Sequence, residues 1–200
     1  NVKGLLSMEN GEVIKAMVQD FAEQDYIVKY KLVNAKNYGV AQDRERVFII
    51  GVREDIDFKY EFPKATHGEG LIPFVTMRDV ISHLPEWPEG DFDDSGFSSI
   101  YMSRNRKRNW DDVSYTIQAS GRHAPMHPNG EPMLKVDKDK WIFQGDFNRK
   151  LSFLECAYIQ NFPEWFTFHG NLRNKYKMIG NAVPPLLAKR IAEPIINYLM

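Results

Sequence analysis

Three polar residues, Gln42, Arg44 and Arg46, occupy alternate positions at the start of an apolar segment of this 200-residue chain. In a β-strand, alternate side chains point to the same face. Two guanidinium groups on one face could bind a phosphate or a base carbonyl, because each presents its N–H donors in a fixed plane. An exposed strand edge with ordinary charges would show the same spacing. The pattern therefore leaves two interpretations open, a ligand-binding wall and a solvated edge.

A second group of candidate residues lies further along the chain. Residues 101–110 read YMSRNRKRNW, a basic cluster with an aromatic residue at each end. Arginine can contact guanine through two hydrogen bonds, and both lysine and arginine bind phosphates. Residues 114–128, SYTIQASGRHAPMHP, are predicted to contain a short β run that ends where Gly121 precedes Arg122 and His123, and a glycine would let the backbone approach a ligand closely. A solvated charge run is the ordinary interpretation of the first cluster. The two segments together favour a nucleic-acid surface.

Two apolar segments position the first group of polar residues. Residues 26–33 and 47–52 are rich in β-branched side chains and are predicted to be strands. Upstream, apolar residues at helical spacing predict an amphipathic helix over residues 9–24, with Ser7 or Asn10 as its cap. This order of elements indicates part of an α/β layer, and at least roughly three more parallel strands would be needed to cover such a sheet.

Composition limits the classes of function. The net charge is −1, so any nucleic-acid surface must be local. A single cysteine excludes an internal disulfide, and with no membrane span and no signal peptide we expect a cytoplasmic protein. His123, His127 and Cys156 lack the close spacing of zinc ligands, so no metal is predicted. The absence of Met at Asn1 indicates a fragment or a trimmed product.

The loop between the predicted strands resembles a known motif. Its residues, NAKNYGVAQDRERVFIIG, are similar to the eighth motif of the cytosine-5 DNA methyltransferases. The resemblance implies that Arg46 reaches a flipped cytosine and that Gln42 and Arg44 shape the same wall. It implies an α/β fold, consisting of the C-terminal part of a Rossmann-like S-adenosylmethionine-dependent methyltransferase sheet and a small, mainly-β target-recognition domain.

The basic segments resemble the two recognition loops of that target-recognition domain. MSRNR followed by TIQASGRH and HP is similar to bacterial modification enzymes that recognise GGCC. The resemblance implies that Arg104, Arg106 and Arg122 read bases and that Thr116 lies near a DNA phosphate. The predicted DNA-binding residues are Arg104, Arg106, Arg108, Thr116, Arg122 and His123.

Residues 149–163, RKLSFLECAYIQNFP, are similar to the ninth motif of the family, which supports the recognition domain. Ser152 and Glu155 have the spacing of a capping box and predict the start of a helix. Cys156 is interpreted as a small core residue of this helix. The predicted buried face of the helix consists of Leu154, Ala157, Tyr158 and Phe162.

Residues 176–185, YKMIGNAVPP, resemble the tenth motif. Gly180 is predicted to permit a tight turn and Asn181 to cap a C-terminal helix whose first turn contains proline. The resemblance implies that Gly180, Asn181 and Ala182 line the S-adenosylmethionine pocket, because free amides at a helix N-terminus suit a carboxylate.

Other parts of the family pattern do not occur in this sequence. They are the Gly-rich cofactor loop and the Pro-Cys-Gln loop with the nucleophilic cysteine, while Asn1 and Val2 remain from a Glu-Asn-Val triplet. The resemblance implies that the complete enzyme flips a cytosine from double-stranded DNA, attacks its carbon 6 with a thiolate and methylates carbon 5. We therefore expect this chain to be inactive alone and to be completed by an N-terminal half.

The predicted organisation has three parts, with boundaries set by shifts in composition. They are residues 1–62 of the catalytic domain, residues 63–150 with a connecting segment and the recognition domain, and residues 151–200 with a bridging and a C-terminal helix. A short helix is predicted near residues 76–84 and a strand within residues 137–149. A noncatalytic DNA-binding or regulatory module and a tRNA cytosine-5 methyltransferase remain as alternatives.

Overall fold

The computed structural model describes residues 3–200, so Asn1 and Val2, which match the triplet, lie outside the described residues. The helices are α1 (Glu12–Ala22), α2 (Met77–Ile81), α3 (Phe153–Ile159), α4 (Leu172–Asn181) and α5 (Pro185–Leu199). The strands are β1 (Tyr26–Asn34), β2 (Glu45–Arg53), β3 (Leu134–Asp137) and β4 (Lys140–Ile142). They form two separate antiparallel pairs, β1 with β2 and β3 with β4. Within residues 3–200, no helix has the length and apolarity needed to cross a membrane.

β1 and β2 form a hairpin that pairs in register from Tyr26 opposite Arg53. Both predicted strands are confirmed and extend slightly beyond the predicted bounds. The side chain of Asn34 holds the connecting loop, because it donates to the Asp43 carboxylate (2.7 Å) and accepts from the Arg44 amide (3.2 Å). A polar loop of this length is therefore fixed at both of its ends.

α1 begins later than predicted, and neither Ser7 nor Asn10 caps it. Its N-cap is Gly11, whose φ of 90° lies in the left-handed region that glycine adopts without strain. Within the predicted apolar stripe only Ile14 is buried, and Phe21 is 42% exposed. The described residues therefore cover only part of the apolar face of α1.

Residues 63–150 consist mostly of irregular loops, and the expected mainly-β content is not seen. The predicted short helix is confirmed as α2, which begins with a capping box between Thr76 and Asp79. Where a strand was predicted within residues 137–149, the chain forms the β3–β4 hairpin, which turns at Asp139 with a φ of 54°. The segment that carries the basic cluster is thus held by side chains more than by sheet pairing.

α3 begins with the predicted capping box. Ser152 accepts from the amide of Glu155 (3.1 Å), and the Glu155 carboxylate accepts from the amide of Ser152 (2.6 Å). Ala157 and Cys156 are buried as predicted, but Leu154 is 37% exposed, so its placement on the buried face was wrong. The side chains of α3 that are buried are Phe153, Glu155, Cys156, Ala157 and Ile159.

Two hydrophobic clusters organise the chain. The α3 cluster consists of Met77, Ile81, Ile117, Ala124, Leu151, Phe153, Cys156, Ala157, Ile159, Phe168, Tyr176 and Ile179. The hairpin cluster consists of Val33, Ala35, Tyr38, Val40, Leu187 and Ile191. α4 therefore packs with α3 and the middle of the chain, whereas α5 packs on the hairpin.

Candidate functional site

Gln42 and Arg44 are fully buried, whereas Arg46 is half-buried. β2 begins at Glu45, so only Arg46 of the three lies within a strand. Gln42 instead forms an isolated parallel bridge with Ser114. The predicted alternation of three side chains on one strand face is therefore wrong.

Arg44 joins three distant segments of the chain. Its Nη1 donates to the carbonyl of Ile117 (3.0 Å), and its Nη2 donates to the carbonyls of Gly180 (2.8 Å) and Ala182 (2.9 Å). Beside it, the side-chain oxygen of Gln42 accepts from the Ile117 amide (3.1 Å). These bonds fix the loop against the recognition segment and the end of α4. The side chains of Gln42 and Arg44 are thus engaged with backbone groups of these two segments.

Burial changes the ionisation of these arginines. Loss of hydration, with a smaller contribution from the neighbouring Arg46, lowers the pKa of Arg44 to about 10. Arg44 consequently remains charged at neutral pH, and its charge faces carbonyl oxygens. Burial also lowers the pKa of Arg46. Of the Arg46 donors, Nη1 bonds to the carbonyl of Glu45 (2.6 Å), and no other hydrogen bond of this side chain is seen within residues 3–200. Arg46 is the arginine of this loop that remains available to a ligand.

Both predicted recognition loops reach one cleft of about 290 Å³, here called the first cleft. Arg104 and Arg106 from the basic cluster line it together with Thr116 and His123 from the second segment, and Asp43 closes it on the side of the hairpin loop. The Thr116 hydroxyl donates to the carbonyl of Asp43 (2.6 Å), so in this structure it ties the recognition segment to that loop. Thr116 therefore positions the hairpin loop, a role that was not predicted for it.

The arginines of the basic cluster differ in their freedom. Arg104 is exposed, whereas Arg106 is only 9% exposed and its Nε donates to the carbonyl of Tyr101 (3.0 Å). Arg106 also stacks on the Tyr101 ring, and Arg108 stacks on the Tyr115 ring at 4.2 Å. Arg106 and Arg108 are therefore largely engaged within the protein, whereas Arg104 is exposed.

The predicted role of Gly121 is also corrected. A Cβ atom at this position would lie 2.7 Å from the ring of Tyr176, so the glycine allows close packing on α4 and not the approach of a ligand. Gly121 begins a short 3-10 turn that ends at His123, and the predicted β run before it forms no strand, only the isolated bridge between Ser114 and Gln42. In this turn Arg122 is exposed.

Gly180, Asn181 and Ala182 only partly fit the predicted cofactor site. Gly180 lies inside α4, and a Cβ atom there would be 2.3 Å from the backbone of Gln118, so it packs on the recognition segment and forms no tight turn. Asn181 ends α4 and does not cap α5, whose N-cap is Pro184. The exposed side chain of Asn181 can meet a ligand. Since prolines occupy the start of α5 and lack N–H groups, that helix end suits a carboxylate less than predicted.

Residues 1–197 match the family described as C-5 cytosine-specific DNA methylase. The chain belongs to this family. It is 52% identical to Type II methyltransferase M.BsuRI of Bacillus subtilis and 50% identical to Type II methyltransferase M.BspRI of Lysinibacillus sphaericus, in both cases over 99% of this chain. These alignments cover 48% and 50% of the two relatives. The chain thus spans about half the length of these curated relatives.

Solved structures share the α/β fold of this methylase-family chain. The methyltransferase EhMeth of Entamoeba histolytica aligns with a TM-score of 0.66 at 17% identity, over 100% of this chain and 62% of that one. The S. pombe Dnmt2 methyltransferase aligns with a TM-score of 0.63 at 14% identity, over 100% of this chain and 66% of that one. Identity at this level supports the fold alone.

The single cysteine of this methylase-family chain is not accessible as a nucleophile. Cys156 is fully buried in α3, and burial raises the pKa of its thiol. Over residues 3–200 no group of three or more His, Cys, Asp or Glu side chains could hold a metal ion.

A buried polar cluster of Arg149, Glu155 and His127 was missed by the sequence reasoning. Arg149 donates to both carboxylate oxygens of Glu155 at 2.8 Å, and His127 Nε2 lies 3.4 Å from the same carboxylate. Loss of hydration, and then the charges of Arg149 and Lys107, lower the pKa of His127 to about 3, so its ring is neutral at pH 7. The capping-box glutamate was visible in the sequence, but its pairing with Arg149 was not, because capping residues are ordinarily exposed.

Proposed function

We propose that this chain is the C-terminal portion of a DNA (cytosine-5-)-methyltransferase of a Type II restriction-modification system, acting in the cytoplasm. In this proposal it supplies target recognition and part of the base and cofactor pockets of a Rossmann-like enzyme. The observation that carries the proposal is the meeting of the hairpin loop with both basic segments at the first cleft. Membership of the methylase family supports it.

Arg46 is proposed to contact the flipped cytosine. It is half-buried beside Arg44 and retains donors that bond to no described residue. Gln42 and Arg44 hold its loop in place through backbone groups of the recognition segment and α4. Extruding a base costs a few kcal/mol, and a prepositioned arginine in a partly dry pocket helps to offset that cost.

Arg104 is proposed to read a guanine within a GGCC site. It is the exposed arginine of the first cleft, and bidentate contacts of arginine to guanine contribute about 1–3 kcal/mol of discrimination. His123 lies in the same cleft and is the second proposed base contact. Arg106 and Arg108 support this surface through their stacking on Tyr101 and Tyr115.

S-adenosylmethionine is the proposed cofactor and, when bound, supplies the methyl group. Within this chain we assign it to Asn181, whose exposed side chain stands at the end of α4. Gly180 contributes indirectly, since its packing on the recognition segment sets the position of Asn181.

The nucleophile is proposed to come from an N-terminal portion that this chain does not contain. Cys156 is the single cysteine and is fully buried, so it cannot attack a base in the first cleft. A partly uncovered apolar surface on the hairpin and α5 would receive that portion, as the exposed Ile27, Tyr30 and Leu199 indicate. The length of the relatives supports a second portion of similar size.

Methyl transfer tests this proposal. Tritium-labelled S-adenosylmethionine and a GGCC duplex are incubated with the chain alone and with a fusion that places the N-terminal portion of M.BsuRI before residue 1. We expect the fusion to transfer label to the DNA and the chain alone to transfer none. The fusion that carries Arg46→Gln should lose most of this transfer. A duplex with an altered site is the matched control.

Each other outcome contradicts a specific part of the proposal. Transfer by the chain alone would contradict the missing nucleophile, and transfer to mixed bacterial DNA but not to GGCC would reject the site. An inactive fusion that still binds duplex DNA would favour a noncatalytic module, and transfer to tRNA in competition with duplex DNA would favour the RNA enzyme.

A further inference from the structure

A second cleft lies on the other side of the 3-10 turn that carries Arg122. It encloses about 580 Å³ and is bounded by that turn and by the start of α4, where Arg173 lines it. His123 lines both this cleft and the first one, so the two are neighbours across a single turn.

The second cleft is positively charged. Arg122 and Arg173 are both exposed, and neither forms a salt bridge with any described residue. The acidic residue of the cleft, Asp93, accepts from Lys150 Nζ at 2.8 Å. Burial alone would raise the pKa of Asp93, but hydrogen bonds from Lys150 and Ser95 outweigh it and lower that pKa. The negative charge of Asp93 is therefore compensated within the protein, and the two guanidinium groups are not.

The position of Arg173 is electrostatically unfavourable for α4. It lies in the first turn of α4, after the N-cap Asn171, and no acidic residue occupies that turn. A positive charge is unfavourable at the positive end of a helix dipole, typically by about 0.3–1 kcal/mol. A bound anion would reverse this effect, because it interacts favourably with both the arginine and the helix end.

The floor of the cleft is closely packed. Gly121 packs directly on the ring of Tyr176, whose hydroxyl donates to the carbonyl of Leu151 at 2.6 Å. The turn and α4 are thus in direct contact, and each contributes one arginine to the lining of the cleft.

We infer that Arg122 and Arg173 together hold a phosphate group of the duplex whose bases enter the first cleft. This inference rests on the proposed function, and it moves Arg122 from base reading to backbone binding and adds Arg173, a residue outside both recognition loops. Phosphate contacts fix the register of a protein on DNA without reading sequence. The shared His123 then marks the point where the DNA passes from the base-reading cleft to the backbone-binding one.

Salt-dependent binding tests the inference. Dissociation constants of the chain are measured for a GGCC duplex and for a duplex with an altered site, between about 50 and about 200 mM salt. The variants are Arg173→Gln, Arg122→Gln and Arg104→Gln. Lys189→Gln, which removes one exposed positive charge from α5 outside both clefts, is the matched control.

We expect Arg173→Gln and Arg122→Gln each to reduce the steepness of log K against log salt, by no more than about 0.9 because they share one phosphate, with equal weakening for both duplexes. Arg104→Gln should instead reduce the preference for GGCC, and Lys189→Gln should change neither quantity. A slope for Arg173→Gln equal to that of Lys189→Gln would overturn the inference while leaving the proposed function intact. A loss of GGCC preference in Arg122→Gln would overturn it as well. Absence of duplex binding by the unaltered chain at the lowest salt would reject both.

Discussion

The α3 cluster and the hairpin cluster differ in how completely this chain covers them. The α3 cluster is enclosed by α2, α3, α4 and the loops between them, and it contains twelve buried residues. The hairpin cluster contains six, and the hairpin beside it exposes Ile27 (59%) and Tyr30 (44%). A shallow apolar groove of about 280 Å³, lined in part by Ile27, Ile50 and Phe58, runs along this surface. The α3 cluster, here called the closed region, is thus enclosed, and the hairpin cluster, here called the open region, is only partly covered.

The two regions are also stabilised in different ways. The hairpin is regular, and its backbone groups pair within the sheet. The α3 region is irregular, and buried polar side chains organise it, such as Arg149 with Glu155 and Lys107 with the carbonyls of Asn129 and Glu131. Irregular loops leave backbone carbonyls without regular partners, so buried donors satisfy them. These internal bonds hold the shape of the irregular segments where sheet pairing is lacking.

Removing Arg44 should have the largest effect, because it connects the two regions. Arg44→Ala leaves the buried carbonyls of Ile117, Gly180 and Ala182 without their donor, and we expect a loss of about 3–5 kcal/mol of unfolding free energy. Urea unfolding, monitored by tryptophan fluorescence, measures this loss of unfolding free energy.

Arg46→Ala is the matched control, since it removes an arginine two positions away with a single local hydrogen bond. We expect a cost below about 1 kcal/mol. Equal losses in the two variants would mean that Arg44 is not a junction between the regions.

The roles of these two arginines show what sequence reasoning could and could not reach. The hairpin was predictable because its β-branched residues flank one polar loop, and both capping boxes were predictable because their partners lie three positions apart. The burial of Arg44 was not predictable, since its acceptors lie 73, 136 and 138 positions away. Family resemblance already implied different roles for Arg46 and Arg44, but only the fold shows that Arg44 bonds to the backbone of distant segments.

The glycines give the same lesson. Gly121 and Gly180 were interpreted by their local freedom, as sites of ligand approach and of a tight turn. Each is instead required by a surface distant in sequence, the ring of Tyr176 for the first and the backbone of Gln118 for the second. A glycine in a helix at close contact has no local sequence signal that distinguishes it from a glycine in a turn.

Acidification should weaken the closed region through His127. The pKa of His127 is about 3 in the folded chain and has its ordinary value of 6.5 when the chain unfolds. The unfolded state therefore binds the proton first, so the contribution is fully present above pH 6.5 and is lost as the pH falls toward 3. We expect a loss of about 1.6 kcal/mol of unfolding free energy between pH 6.5 and pH 5, because the dependence approaches about 1.4 kcal/mol per pH unit only below the pKa of the unfolded chain.

Urea unfolding at several pH values, compared with that of His127→Gln, measures this contribution. His127→Gln should reduce the dependence of the unfolding free energy on pH between pH 6.5 and pH 5. His169→Gln, at an exposed position, should leave that dependence unchanged. An unchanged slope in His127→Gln would show that other groups carry the pH dependence.

The smallest effect is expected on the open region. Ile27→Ser replaces a 59% exposed side chain, so the unfolding free energy of the chain alone should change by less than about 0.5 kcal/mol. If the N-terminal portion covers this surface, the same substitution removes apolar area from the contact and should weaken association by about 1 kcal/mol, or about fivefold.

Calorimetric titration of the chain with the separately produced N-terminal portion of M.BsuRI compares Ile27→Ser with Ile100→Ser. Ile100 is 68% exposed but lies on the recognition side, so its substitution should not change this affinity. Equal weakening by both substitutions would mean that the portion does not dock specifically on the hairpin. Weakening by Ile27→Ser alone would identify the open region as the surface where the two portions meet, because the variants differ chiefly in the region that they alter.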